Sequence, residues 1–283
     1  MDTWKYSEIP WNDIKEISQL TFLVYDYAKN WKINEIRDLY EFLNKNKENK
    51  ELSSEDKDIL KNIKKQYPDA EVVNFFTNSA DLQCVIGKNP HKKRYTLIFR
   101  GSESISDWLY DMMVLKTRLY DNVKVHYGFN KQLTTKNTYD RLVLCIGDLI
   151  KEHPDWEWYV GGHSLGGALS TLAGFLLSRT FYDVKWTVVS LASPRVGNKD
   201  FKYAFDSQDN LRLYRLCNNK DIIPAFPMFY YCHTGFSLHF NKKDKKWYEY
   251  GYLPKFSYYF YNLYNPWDHM CGAYMNAINF ILN

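Results

Sequence analysis

The chain has 283 residues, 45% of them hydrophobic and 25% charged, an ordinary balance for a globular protein large enough to bury a substantial core. A net charge of +4, spread over 37 basic and 33 acidic residues, argues against nucleic acid as a partner. No stretch approaches the roughly 18 uninterrupted apolar residues of a membrane helix, the N-terminus lacks the basic-then-apolar pattern of a secretion signal, and the odd, widely spaced cysteines read as free thiols, so the expected compartment is the cytoplasm.

Ile14, Ile17, Thr21, Val24, Tyr25 and Ala28 recur at helical spacing and predict an amphipathic helix over 12–29. A charged run at 44–50 leads into a second helix with Leu52, Ile59, Ile63 and Tyr67 near one face, read as solvated surface. From residue 71 the period shortens to two, giving strands at 71–77, 82–87 and 94–100, the first two joined across 78–81. A long helix is predicted over 130–152 and closed by Pro154. Strand 156–160, helix 165–179, strand 185–192, helix 198–206 and strand 211–217 follow. Strands alternating with helices imply βαβ units and a mostly parallel central sheet flanked by helices. Without an internal repeat or low-complexity linker, the expectation is a single domain over 1–283 with a helical part at about 1–70.

The segment Gly162-His163-Ser164-Leu165-Gly166 lies between a strand pattern and a helix pattern. A serine on a sharp strand-to-helix turn is forced into a strained conformation, and the residues two before and two after it come into contact, which favours glycine at both. The N-terminus of the following helix directs N–H groups toward developing negative charge. Ser164 is therefore the candidate nucleophile.

With its extension Gly167-Ala168, this segment resembles the nucleophile region of the class 3 (fungal-type) lipases. Other segments agree in order: Thr96 to Ser102 followed by Asp107-Trp108-Leu109, Val125 to Phe129, Ser193 to Asn198, and Asn219 to Pro224. The likeness covers roughly residues 70–275, and the first 70 match loosely. It implies an α/β-hydrolase fold.

A serine hydroxyl needs a base, and the base needs a carboxylate to hold its tautomer. In α/β hydrolases the chain order is serine, acid, histidine, which leaves His233, His239 and His269. His269 precedes a small-residue helix pattern at 272–277, where the fold places its histidine, and the resemblance, with a tyrosine five residues on, assigns the same position. His233 has a family counterpart associated with packing. Among Asp206, Asp209, Asp221 and Asp268, Asp221 is favoured because it lies just past the strand at 211–217; Asp268 adjoins His269, and neighbouring side chains usually diverge.

The resemblance implies an oxyanion hole formed by Ser102 and the N–H of Leu165. It also aligns Ile105, Trp108, Leu109 and Met112, which recur at helical spacing, with a segment that is a mobile lid in fungal lipases and packed in other members. The aromatic segment 252–267 suggests a rim that seats the protein on lipid, with packing on the body as the alternative.

No metal motif, phosphate loop or dinucleotide fingerprint is apparent, and triad chemistry needs no cofactor. The expected function is serine-dependent hydrolysis of carboxylic esters of lipids, with transient association with lipid surfaces. A phospholipase or short-chain esterase, a thioesterase of another family, and a catalytically silent binding scaffold are the rivals. The residues name no protein partner.

Overall fold

Eight of the described strands form one sheet in the computed structural model, which describes residues 8–30, 71–101, 115–251 and 265–281. The second predicted helix, Ser102, the lid candidates and the aromatic stretch 252–264 lie outside the described residues. In chain order the strands are β1 (Glu71–Thr77), β2 (Gln83–Asn89), β3 (Arg94–Phe99), β4 (Lys116–Tyr120), β5 (Val123–His126), β6 (Glu157–His163), β7 (Trp186–Leu191), β8 (Leu211–Asn218), β9 (Phe236–Asn241) and β10 (Lys246–Gly251). The large sheet runs β1-β2-β3-β6-β7-β8-β9-β10, while β4 and β5 pair as a separate antiparallel ribbon. Strands β3 through β9 in that order are mutually parallel. The flanking pairs β1-β2, β2-β3 and β9-β10 are antiparallel. This is the mostly parallel sheet expected from the alternation of strand and helix patterns.

Strands covered by helices on both faces read as continuous apolar runs, and every residue of β7 and β8 is buried. The helices are α1 (Trp11–Asn30), α2 (Tyr127–Thr134), α3 (Thr138–Glu152), α4 (Leu165–Thr180), α5 (Lys199–Asp206) and α6 (Cys271–Ile278). On one face α2 to α5 bring Phe129, Leu142, Ile146, Leu172 and Phe201 against Leu97, Phe99, Val160 and Val188. On the other, α1 and α6 bring Ile14, Ile17, Phe22, Tyr274 and Ile278 against Ile98, Tyr159, Val189 and Tyr214. The period of two along β3 decides the division: Leu97 and Phe99 face one layer and Ile98 the other. At about 1.5–3 kcal/mol for each large apolar side chain removed from water, these two layers are the main source of cohesion.

The predicted helix 130–152 is two helices. Lys136 and Asn137 adopt φ of 53° and 55° between them, in a 3-10 turn over Thr135–Asn137. The cause is local: the hydroxyls of Thr134 and Thr135 turn back onto the carbonyls of Asn130 and Lys131, and Asn tolerates the left-handed region. Asn78, in the β1–β2 turn, donates to the Gln132 carbonyl at 2.8 Å and to Thr138 Oγ1 at 3.0 Å, fastening the break to the sheet.

Candidate active site

Strand β6 ends at His163 and α4 begins at Leu165, so Ser164 alone makes the turn, with φ 58° and ψ −122°. Holding a non-glycine residue there costs about 1–3 kcal/mol, which the surroundings must supply. The Ser164 N–H donates to the Leu191 carbonyl at 2.9 Å, and the Ser164 carbonyl accepts from the Ala168 N–H at 3.2 Å. A β-carbon on Gly162 would stand 2.1 Å from the Gly166 carbonyl oxygen, and one on Gly166 would stand 2.3 Å from that of Phe99. Only glycine fits at either position, because the obstructing atoms are backbone.

His269 ends a 3-10 turn, Pro266–His269, that delivers the chain into α6. Its Nε2 lies 2.8 Å from Ser164 Oγ, and its Nδ1 lies 2.9 and 3.0 Å from the two carboxylate oxygens of Asp221. An ionised carboxylate only accepts, so Nδ1 carries the hydrogen and Nε2 presents its lone pair to the serine hydroxyl. All three side chains are buried.

Asp221 is held in turn. The Ile223 N–H donates to Oδ1 at 2.9 Å and the Tyr274 hydroxyl donates to Oδ2 at 2.8 Å, while the Tyr274 oxygen accepts from the Asn218 N–H at 2.9 Å. Burial first, then the Asp221 charge, push the Tyr274 hydroxyl well above the usual phenol range, so it stays a donor. The tyrosine five residues after His269 thus braces the acid, a role its position in the sequence alone did not disclose.

Asp268 diverges from its neighbour's imidazole. Its Oδ2 accepts from Asn219 Nδ2 at 2.7 Å and the Lys220 N–H at 3.2 Å, and its carbonyl accepts from Asn218 Nδ2 at 2.8 Å. These bonds clamp the loop carrying His269 to the loop carrying Asp221. Asp206 accepts from the Gly235 N–H at 2.9 Å and pairs with Lys202 at 2.6 Å, and Asp209 is exposed, so of the four acid candidates Asp221 is the one that reaches His269. His233 Nε2 donates to the Pro224 carbonyl at 2.7 Å and His239 Nε2 to the Asn219 carbonyl at 2.8 Å.

His163 is a further member that the sequence reasoning did not assign. Its Nε2 lies 2.9 Å from the His269 carbonyl, an acceptor, so Nε2 carries the hydrogen; the two rings stand 4.9 Å apart. Burial, followed by the charge of His269, lowers its pKa well below the ordinary histidine range, so it is a neutral donor at pH 7. Leu165, the first residue of α4, follows the nucleophile directly, and its first-turn N–H has no acceptor within the helix. Ser102, the other oxyanion candidate, falls outside the described residues.

A serine on a strand-to-helix elbow, an acid past a later strand and a histidine ahead of the last described helix, on a mostly parallel sheet, define the α/β-hydrolase fold. Residues 96–231 match the family model for lipase (class 3). The chain is 29% identical over 184 residues to a lipase of Rhizopus niveus, covering 60% of this chain and 45% of the relative. It is likewise 29% identical over 164 residues to phospholipase A1-IIgamma of Arabidopsis thaliana, covering 48% of this chain and 39% of that one. The chain therefore spans less than half the length of these relatives. The crystal structure of a lipase from Rhizopus microsporus var. chinensis superposes with a TM-score of 0.65 at 27% identity, over 74% of this chain and 76% of that one.

Proposed function

We propose that the chain hydrolyses carboxylic esters of lipids through an acyl-enzyme formed on Ser164. The observation that carries this reading is the buried, continuous hydrogen bonding from Ser164 Oγ through His269 to Asp221. His269 Nε2 takes the hydroxyl proton as Ser164 Oγ attacks the ester carbonyl, and the Leu165 N–H donates to the oxyanion. The imidazolium, stabilised by Asp221, then protonates the leaving alcohol. Water attacks the acyl-enzyme with His269 as base, and collapse returns the proton to Ser164. The likeness to a lipase and to a phospholipase A1 supports a lipid ester as substrate and leaves two head-group classes, acylglycerol and phospholipid.

The test is labelling by a fluorophosphonate probe, wild type beside Ser164→Ala, with hydrolysis of acylglycerols and phosphatidylcholines from short to long acyl chain. Labelling lost in the variant is expected. Absence of labelling in wild type, with detergent present, would overturn the reading in favour of a silent binding scaffold.

A further inference from the structure

Beside the candidate active site the surface carries large apolar side chains with cations set among them. Met228, Phe229 and Tyr230 are 46%, 73% and 83% exposed, on the loop that follows Asp221, and Leu115 and Tyr127 are 57% and 48% exposed. These belong to one face. The Leu115 carbonyl accepts from the Tyr127 N–H at 2.9 Å and from the Tyr231 hydroxyl at 3.2 Å, and Lys116 Nζ stands 5.4 Å over the Tyr230 ring and 4.5 Å over that of Tyr231. The loop is anchored from beneath: the Arg195 N–H donates to the Phe226 carbonyl at 2.7 Å, and its guanidinium donates to the carbonyls of Ala225 and Pro227. Phe229 and Tyr230 are therefore presented on a fixed base.

The cations come from the β4–β5 ribbon. Arg118 and Lys124 are register partners across it, and Lys116, two residues before Arg118, projects to the same side. Lys131 lies 5.9 Å from the Tyr127 ring. Among the described residues none of these four side chains has a carboxylate partner. Among the described residues, Asp121 lies in the ribbon's turn, three residues from both Arg118 and Lys124, and Asp200 is bonded to Asn198. The lysine-rich character decides the class of partner. Protein interfaces are depleted in lysine, whereas exposed aromatics with interspersed Lys and Arg suit the headgroup level of a bilayer that bears negative charge.

We infer that the face formed by Leu115, Lys116, Arg118, Lys124, Phe229 and Tyr230 docks on anionic lipid bilayers. This deepens the reading of the chain as a lipid ester hydrolase by naming the kind of surface that brings it to substrate.

The full chain carrying Ser164→Ala, which cannot consume the lipid, is co-sedimented with vesicles of phosphatidylcholine and with vesicles of phosphatidylcholine and phosphatidylglycerol in equal parts. Tighter binding to the anionic vesicles is expected, declining as salt is raised. Lys116→Gln/Arg118→Gln/Lys124→Gln should lose about five-fold per cation removed, about two orders of magnitude together, on the anionic vesicles. Phe229→Ser/Tyr230→Ser should weaken binding to both. Thermal melting checks each fold, and Arg118→Gln alone, at an exposed position, reads the same five-fold step if the triple variant melts early. Equal binding to both vesicle types, or an unweakened charge variant, would overturn the proposal. So would a charge variant whose one change is the loss of self-association. Hydrolysis of a soluble short-chain ester by the protein with Ser164 intact, unchanged by the charge substitutions, is read separately. Its absence would remove the ester-hydrolase reading, and the vesicle result would still decide the surface.

Discussion

Replacing Tyr274 with Phe removes one oxygen from the interior and leaves the ring in place. That oxygen donates to Asp221 Oδ2 at 2.8 Å and accepts from the Asn218 N–H at 2.9 Å, and the side chain is fully buried. A bond to a buried charge contributes about 1.5–3 kcal/mol, and an N–H left without an acceptor costs about 1–3 kcal/mol. No cavity term is added, and the losses overlap because Asn218 and Asp221 share a loop, so stability should fall by about 2–4 kcal/mol. Chemistry should suffer less. Asp221 keeps His269 Nδ1 and the Ile223 N–H, so the carboxylate stays oriented. A ten-fold drop in the rate of fluorophosphonate labelling, about 1.4 kcal/mol, is the expected scale. Urea unfolding followed by tryptophan fluorescence measures the first quantity and labelling under strongly native conditions the second. An unchanged urea midpoint with an unchanged m-value would refute the assignment of Tyr274 as a brace on the acid.

Asp221→Asn should leave the fold intact and slow labelling by about four orders of magnitude, the scale seen when a triad acid loses its charge and the histidine takes the wrong tautomer; a loss under ten-fold would remove Asp221 from the chemistry. His163→Leu, which deletes the donor to the His269 carbonyl, should lower kcat on a soluble ester with KM unmoved, and His163→Gln, which can keep a donor there, should recover most of it. Equal kcat in the two variants would reduce His163 to packing. Stability should also depend on pH. His163, His233 and His239 all have pKa values lowered from 6.5, chiefly by burial, so below that pH the unfolded chain binds protons that the native one does not. The contribution is complete above about pH 6.5 and is lost on acidification, by up to about 1.4 kcal/mol per pH unit for each histidine, until each folded pKa is reached. Urea midpoints taken between neutral pH and about pH 5 should show a shallower fall in His239→Gln; the same slope in both proteins would argue against a depressed pKa at that position.

The parts of the fold that were legible in the sequence are those whose signals are local. The β1, β3 and β6 to β8 patterns and the elbow at 162–166 sit where the period and the glycines indicated, because buried parallel strands and a strained turn impose residue types over a few positions. The break at Lys136 and Asn137 was hidden because an apolar helical period runs on either side of it, and the left-handed pair is stabilised by Asn78, distant in the chain. Strand β4, Lys116-Thr117-Arg118-Leu119-Tyr120, lacks an alternation and is defined by its pairing, whereas Val123 to His126 and Phe236 to Asn241 do alternate apolar with polar residues, a strand signal that the sequence reasoning missed. At the site, the glycine-flanked elbow nominated Ser164, and chain order together with strand-end position and the family resemblance nominated Asp221 and His269. The groups that hold them, Tyr274, Asp268 with Asn219, and His163, become visible when loops some fifty to a hundred residues apart are brought together.

The N-terminal helix, which lies outside the segment matched by the family model, is continuous with the face of the sheet that supports His269. Ile14 and Ile17 of α1 are fully buried in the same cluster as Tyr274, Ala277 and Ile278 of α6. Asp13 secures the contact from the polar side, accepting from Arg94 Nη2 at 2.7 Å and from the Tyr159 hydroxyl at 3.1 Å. Lys15 Nζ reaches the Ile281 carbonyl at 3.4 Å just beyond α6. Because α6 carries Tyr274 and begins two residues after His269, loosening α1 should be felt at the triad as well as in the core. Ile17→Ala removes three carbons from a site with no solvent access and should cost about 2–4 kcal/mol. The decisive comparison is with Leu142→Ala, an equal truncation in the opposite layer. Both should lower the urea midpoint by similar amounts, and at a temperature where both are folded Ile17→Ala should slow labelling of Ser164 more. Equal labelling rates would mean that α1 supplies burial alone and that the geometry of His269 is set by the Asp268 clamp without help from the back of the sheet.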